Sequence, residues 1–327
     1  HIDSLVSTGK AKARHQGMSY YDAPSSGIKI NIPLQTGEEV KVKCAVSYTS
    51  IKNAWLNLES EIQHWDFEKA CHDARAIWNE YLGRIVVEGG TDEQQIKFYT
   101  DLWHVLLGRH KIDDVNGDYP DYTDGEKKGS QTVNIKYRTR TLPKDNNGNV
   151  KFHMYNSDAF WLTQWNLNIL WGLAWPEIQD DFAACLIEYA RNGGLIPRGP
   201  NAGGYSYIMT GCPGTSLITS AYQKGILKKV APEEAYRWMY KNHHDGMLGD
   251  KKSIQFYEKY GYFANNAGIT LEAAFQDWAL GQMALKLGKK KDAYHFQKRS
   301  EGWKNLYNPE KKLLSPKPED GSWLHLD

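Results

Sequence analysis

The stretch that decides the fold is Ile62-Gln-His-Trp65-Asp-Phe-Glu-Lys-Ala70-Cys-His-Asp-Ala74-Arg-Ala-Ile77-Trp78-Asn-Glu-Tyr81-Leu82-Gly83. Its apolar residues recur mostly at steps of three and four, which predicts one long amphipathic helix that Gly83 ends. Upstream the period is two. Ile28, Ile30 and Ile32 alternate with polar residues up to Pro33, and after the turn at Gly37 the alternation resumes at Val40, Val42, Cys44, Val46 and Tyr48. These runs predict a hairpin whose sheet partners lie upstream of His1, because so few strands cannot enclose a core. Ala54 to Leu58 reads as a third strand or as the lead-in to the helix. Downstream the period stays helical, with Phe98, Leu102, Val105 and Leu106 on one face and further helices expected near 158–174, 177–192, 214–225, 232–242, 268–287 and 289–306. The expected organisation is the end of a β domain at 1–60, a helical linker at 61–90 and an all-α domain over 91–327.

Composition narrows the function. The 327 residues carry 40 Lys and Arg against 39 Asp and Glu, a net charge of +1. Without a basic excess, nucleic acid is not the expected partner. No apolar run approaches the roughly 18 residues of a membrane helix, so no membrane insertion is expected. The mixture of 41% hydrophobic and 24% charged residues excludes wholesale disorder. Twelve Trp, 20 Tyr and 9 Phe are in excess, and such rings suit ligands that have an apolar face and polar edges. The chain starts at His1 without Met and is expected to be a piece of a longer protein. Its four cysteines, Cys44, Cys71, Cys185 and Cys212, lack the spacing of a disulfide framework or a CxxC motif and read as ordinary semi-buried thiols.

Most chemical motifs fail on spacing. Asp114-Val-Asn-Gly-Asp118 opens like a calcium loop, but positions six and twelve are Tyr119 and Gly125, so a tight turn is expected. His243-His244, His104 and His110 belong to no HExxH or Cys/His set and read as structural or surface histidines. GxSxG is absent, and the Gly pairs at 193–194 and 203–204 lack the context of a phosphate loop. The irregular segment 111–151 is far longer than an ordinary connection, and a pocket rim is expected there.

Aromatic and carboxylate residues remain. Tyr155-Asn-Ser-Asp158-Ala-Phe160-Trp161-Leu-Thr-Gln164-Trp165-Asn166-Leu-Asn-Ile-Leu-Trp171 interleaves rings with amides and Asp158, the groups a sugar site uses for hydroxyl contacts. In Thr270-Leu-Glu272-Ala-Ala-Phe275-Gln-Asp-Trp278, Thr270 is expected to cap a helix whose core stripe is Leu271, Ala274, Phe275 and Trp278. Glu272 lies off that stripe, near the positive helix N-terminus. Arg198, in Gly193-Gly-Leu-Ile-Pro-Arg198, can donate several hydrogen bonds to a polyol.

Together with Phe98-Tyr-Thr-Asp-Leu-Trp-His104, the Asp114–Tyr119 turn, Met209-Thr-Gly211, Ala221-Tyr-Gln-Lys-Gly225 and Leu287-Gly-Lys, these segments resemble, in order and spacing, glycoside hydrolase family 92. The resemblance spans nearly the whole chain. It implies the C-terminal part of a β-sandwich, a linker helix and an incomplete (α/α)6 barrel, with the remaining helices beyond Asp327. It further implies a bacterial, secreted or periplasmic exo-α-mannosidase that depends on calcium and releases terminal mannose from mannosides or glycans with inversion, its partner being a mannose-containing glycan.

By the same resemblance Trp161, Arg198 and Glu272 match sugar-binding positions, and Leu162 stands where the family often has Asp, so one hydroxyl acceptor is missing. The family's acid lies in a Gly-Asn-Ala-Trp-Gln context and its base is an Asp in a later Gly- and Asn-rich segment. Neither context occurs here, so the catalytic pair and most calcium ligands are expected downstream. Two other classes compete: a toroidal polysaccharide lyase, and a non-catalytic glycan-binding protein of a bacterial uptake system.

Overall fold

The computed structural model describes residues 5–15, 19–28, 33–128, 131–157, 160–244 and 246–324. The chain forms two compact units, His1–Lys43 and Cys44–Asp327. In the first, Leu5–His15 and Ser19–Ile28 form an antiparallel hairpin with an irregularity between Thr8 and Lys10. Ile28 closes its second strand, while Ile30 and Ile32 lie outside the described residues.

The expected strand at Val40–Tyr48 does not form. The chain is extended there and faces alternate, but Val46 and Tyr48 point outward while Ser47 and Thr49 turn inward to hydrogen-bond Asp114. A period of two records extended backbone; a strand also needs a partner.

Ten α-helices occur among the described residues: α1 (Ile51–Glu61), α2 (Phe67–Leu82), α3 (Asp92–Leu106), α4 (Leu167–Ala174), α5 (Pro176–Gly193), α6 (Pro213–Gln223), α7 (Pro232–His244), α8 (Lys251–Tyr260), α9 (Ala267–Lys286) and α10 (Lys290–Ser300). The helix expected from Ile62 to Gly83 is α2, which starts only at Phe67, and Ala54–Leu58, read as a strand or the lead-in to that helix, lies in a separate helix, α1. Ser50 caps α1 and Asp66 caps α2, each side chain accepting the N–H three residues on, so the chain re-nucleates and Ile62–Trp65 is a break. Gly83 ends α2 as expected. The helix expected at 289–306 is α10 followed by the 3₁₀ turn Glu301–Leu306. α8 escapes the periodicity because only Ile254 and Tyr257 are buried on it, yet Asp250 caps its start and Gly261, at φ +76°, its end.

α5 is the centre of the larger unit. Phe182, Ala183, Ala184, Leu186, Ile187, Tyr189 and Ala190 are buried along it, with α6 on one side. Cutting the fully buried Leu186 back to Ala would cost about 2–5 kcal/mol. α9 packs against α6 and α10, its small residues Ala273, Ala274, Gly281 and Ala284 permitting close approach.

The long segment after α3 is built of short antiparallel pairs. Arg109–Lys111 pairs with Tyr155–Ser157, Asp118–Asp121 with Arg138–Thr141, and Glu126–Lys128 with Gln131–Val133. The expected turn at Asp114 is present, closed by Gly117 N–H to the Asp114 carbonyl at 2.7 Å, and Gly117 has φ +86°. The buried Asp114 carboxylate anchors α1 by accepting from Asn53 at 2.9 Å and Asn57 at 2.8 Å.

Candidate active site

Helix α9 and the 3₁₀ turn Leu162–Gln164 converge through side-chain amides. Gln164 Nε2 donates to Glu272 Oε2 at 2.8 Å, and Gln276, one helical turn after Glu272, donates to the same oxygen at 3.2 Å. Ser216 Oγ on α6 donates to Gln164 Oε1 at 3.2 Å. Gln276 Oε1 accepts the backbone N–H of Cys212, so α6 and its lead-in are tied to both amides that hold the carboxylate. Gly211 makes that approach possible: its φ is +72°, and a Cβ there would press on the Gln276 amide.

The expected helix at 158–174 is shorter than its sequence pattern. Thr163 folds back on Phe160 through its N–H and hydroxyl, giving a tight turn, and α4 starts only at Leu167. The turn sorts the aromatics: Phe160 and Trp171 are fully buried around Phe182, whereas Trp165 is two-thirds exposed. Trp161 is half-buried, 6.1 Å from Trp165 between ring centres, and its indole Nε1 is buried without a hydrogen-bond partner among the described residues. Leu162 is exposed on the same turn.

Of the core stripe expected on α9, Ala274 alone is buried. Leu271, Phe275 and Trp278 are exposed, while Gln276 and Asp277 are fully buried. Polar partners explain the inversion. Gln276 is held as described, and Asp277 accepts from Tyr257 at 2.8 Å, from Arg299 at 2.6 and 2.7 Å, and pairs with His243 Nδ1 at 2.7 Å. Burial pushes the Asp277 carboxyl up, but the Arg299 charge and the His243 and Arg299 hydrogen bonds outweigh it and hold it well below the carboxylate range. Thr270 is not the cap of α9. Asn266 accepts the Ile269 N–H, and Thr270 Oγ1 instead accepts from Phe263 N–H. Phe275 and Trp278 stack with ring centres 6.4 Å apart on the exposed face.

Arg198 adjoins this cluster through its carbonyl, which accepts the Phe160 N–H. Its guanidinium donates to the carbonyls of Tyr207 (3.1 Å), Met209 (2.7 Å) and Met247 (2.6 and 3.2 Å), and burial lowers its pKa. It thereby organises the loop in which Met209 adopts φ +68°. Asp158 lies outside the described residues. Gln164 and Glu272 are thus brought together, Trp161 stands at the start of the turn that carries Gln164, and Arg198 is a neighbouring strut. Gln276 and Ser216 are additions that sequence reading missed; the four-residue spacing of Glu272 and Gln276 was the available signal.

Calcium does not fit the Asp114–Asp118 turn or Glu272. The Asp114 and Asp118 oxygens are occupied by hydroxyl and amide donors from Thr49, Asn53, Asn57 and Asn116, and Glu272 is a single carboxylate already facing two amide N–H groups. Neither set offers the six to eight oxygens the ion takes. Cys44 and Cys71 are exposed; Cys185 and Cys212 are buried, and burial pushes the Cys212 thiol up to about 12. A groove of about 650 Å³ beside Cys44–Tyr48 and Lys111–Val115 contains none of the expected site residues. No helix among the described residues is long and apolar enough to cross a membrane.

Known proteins place the chain. An inverting mannosidase of family GH92 from Bacteroides thetaiotaomicron superposes with a TM-score of 0.73 at 24% identity, covering 99% of this chain and 43% of that one. A family GH92 α-mannosidase from the same organism, in complex with mannoimidazole, gives a TM-score of 0.72 at 22% identity over 85% of this chain and 34% of its own. These likenesses establish a shared fold. A protein named an uncharacterized secreted glycosidase, from Arthroderma benhamiae, is 22% identical over 319 residues, 88% of this chain and 34% of the relative. The chain therefore spans less than half the length of these relatives. Residues 53–327 match the glycosyl hydrolase family 92 catalytic domain, and the chain belongs to that family.

Proposed function

We propose that the whole protein to which this chain belongs is a secreted or periplasmic exo-α-mannosidase that releases terminal mannose with inversion. The observation that carries this is the hydrogen bond across 108 positions from Gln164, on the turn that follows Trp161, to Glu272, within a family 92 catalytic domain. The Glu272 carboxylate is an acceptor one helical turn before the exposed ring of Phe275, a combination suited to sugar hydroxyls on one side and ring C–H groups on the other. Trp161 would also offer its indole N–H as a donor. Arg198 is assigned to the sugar-binding wall with its direct role reduced, since four of its N–H bonds already go to carbonyls. The secreted relative supports an extracytoplasmic location.

Inversion requires an acid that protonates the leaving oxygen and a base that activates water from the opposite face, about 6.5–9.5 Å apart. We assign both to residues outside this segment. Calcium dependence belongs to the same proposal, with ligands also outside the described residues.

The test is an NMR time course of the full-length protein on an α-mannoside, with and without chelator. β-Mannose as first product, and activity lost in chelator and restored by calcium, are expected. α-Mannose first would overturn inversion, full activity in chelator would overturn calcium dependence, and tight glycan binding with no cleavage would replace the enzyme by a binding protein.

A further inference from the structure

Away from the aromatic cluster, the end of α7, the last turn of α8 and the middle of α10 bring His244, Glu258 and His295 together. Their candidate ligand atoms all lie within 4.8 Å of one another. His244 Nε2 is 3.7 Å from Glu258 Oε1, and His295 Nε2 is 3.6 Å from Glu258 Oε2. Both distances exceed hydrogen-bond reach. The two run to different oxygens of the carboxylate, and each is close to the roughly 3.4 Å that separates two ligands bound tetrahedrally at about 2.0–2.2 Å from one ion.

Two further observations point to a ligand. His244 Nδ1 bonds the Tyr240 carbonyl at 2.8 Å, and its ring stacks on Tyr240 at 4.2 Å. Because a carbonyl only accepts, the proton sits on Nδ1 and the Nε2 lone pair faces Glu258, the arrangement that orients a metal-binding imidazole. His295 Nε2 is buried and makes no hydrogen bond among the described residues.

Charge favours a cation. Arg299 donates to Glu258 Oε1, but its charge is matched by Asp277, whose two oxygens it also binds. Glu258 therefore brings to the group a carboxylate beyond the one that balances Arg299. The three side chains are 28%, 29% and 42% exposed, so an ion has a path in.

We propose that His244, Glu258 and His295 bind one divalent transition-metal ion of the zinc class, with water completing the shell and the ion clasping α7, α8 and α10. Two imidazoles and a carboxylate suit zinc and disfavour calcium, which takes oxygen ligands in larger number. The site shares no residue with the Trp161–Glu272 cluster and its role is structural.

Full-length protein stripped of metal is titrated with zinc chloride and, separately, calcium chloride, alongside His244→Ala and His295→Ala. The wild type is expected to bind zinc with a rise in Tm, while each variant loses at least about tenfold in zinc affinity and loses the Tm rise. Cobalt should give a tetrahedral visible spectrum in the wild type that the variants lack. Circular dichroism matching the wild type shows that the variants are folded; if His244→Ala is not, the half-exposed His295→Ala decides alone. Zinc uptake equal in wild type and His295→Ala, or absent from the wild type, overturns the proposal.

Discussion

Gln164 donates a 2.8 Å hydrogen bond to Glu272 across 108 positions of sequence, tying the turn that carries Trp161 to the first turns of α9. The carboxylate is held by two amides while its neighbours Phe275 and Trp278 stay exposed. That arrangement leaves an acceptor at a partly exposed surface, where under the proposed function a sugar hydroxyl would take the place of one amide.

Glu272→Gln keeps the shape and removes the charge. Hydrogen bonds to a charged group contribute about 1.5–3 kcal/mol, so kcat/KM of the full-length protein for an α-mannoside should fall about 10–100-fold with Tm nearly unchanged. An unchanged kcat/KM would remove Glu272 from the site.

Arg198→Lys separates support from sugar contact. An ammonium cannot reach the carbonyls of Tyr207, Met209 and Met247 together, so stability should drop by about 2–4 kcal/mol in denaturant unfolding, with activity falling in parallel. Loss of activity at full stability would instead mean direct sugar binding.

Asp277→Asn strands a buried guanidinium. Breaking one side of such a pair costs about 3–5 kcal/mol, because Arg299 is only 4% exposed and keeps Glu258 as its single carboxylate partner among the described residues. Equilibrium unfolding of the variant measures this directly; a loss under about 1 kcal/mol would show that Glu258 alone suffices.

Acid should destabilise the larger unit in a defined window. Burial raises the Asp118 and Asp121 carboxyls, but hydrogen bonds from Thr141, Asn53 and Asn116 to the first, and from Thr123 and Arg140 to the second, outweigh it, and both end below their ordinary value. A carboxyl depressed in the folded state contributes stability above its unfolded pKa, and that contribution disappears as pH falls through the folded value. Tm should therefore hold between about pH 7 and 5 and drop below about pH 4. Asp121→Asn should lower Tm at neutral pH and flatten the acid limb; an unaltered limb would exclude Asp121 from it.

Local signals in the sequence determine much of this protein. The caps Ser50, Asp66, Thr91 and Asp250, and Gly83, Gly194 and Gly261 at helix ends, specify where helices start and stop, because each satisfies its own backbone within a few residues. The ordered aromatic and carboxylate segments likewise specify the family, and they point to Trp161 and Glu272. Tertiary structure decides what depends on partners far along the chain. Val46 and Tyr48 find no neighbouring strand; Phe275 and Trp278 yield the core to Gln276 and Asp277, whose burial depends on Cys212, His243 and Arg299. The apparent calcium loop becomes a clasp for α1 because Asn53 and Asn57 reach Asp114. A helical period counts apolar residues along one element, and it cannot register that a buried charge is welcome when its counterion arrives from another.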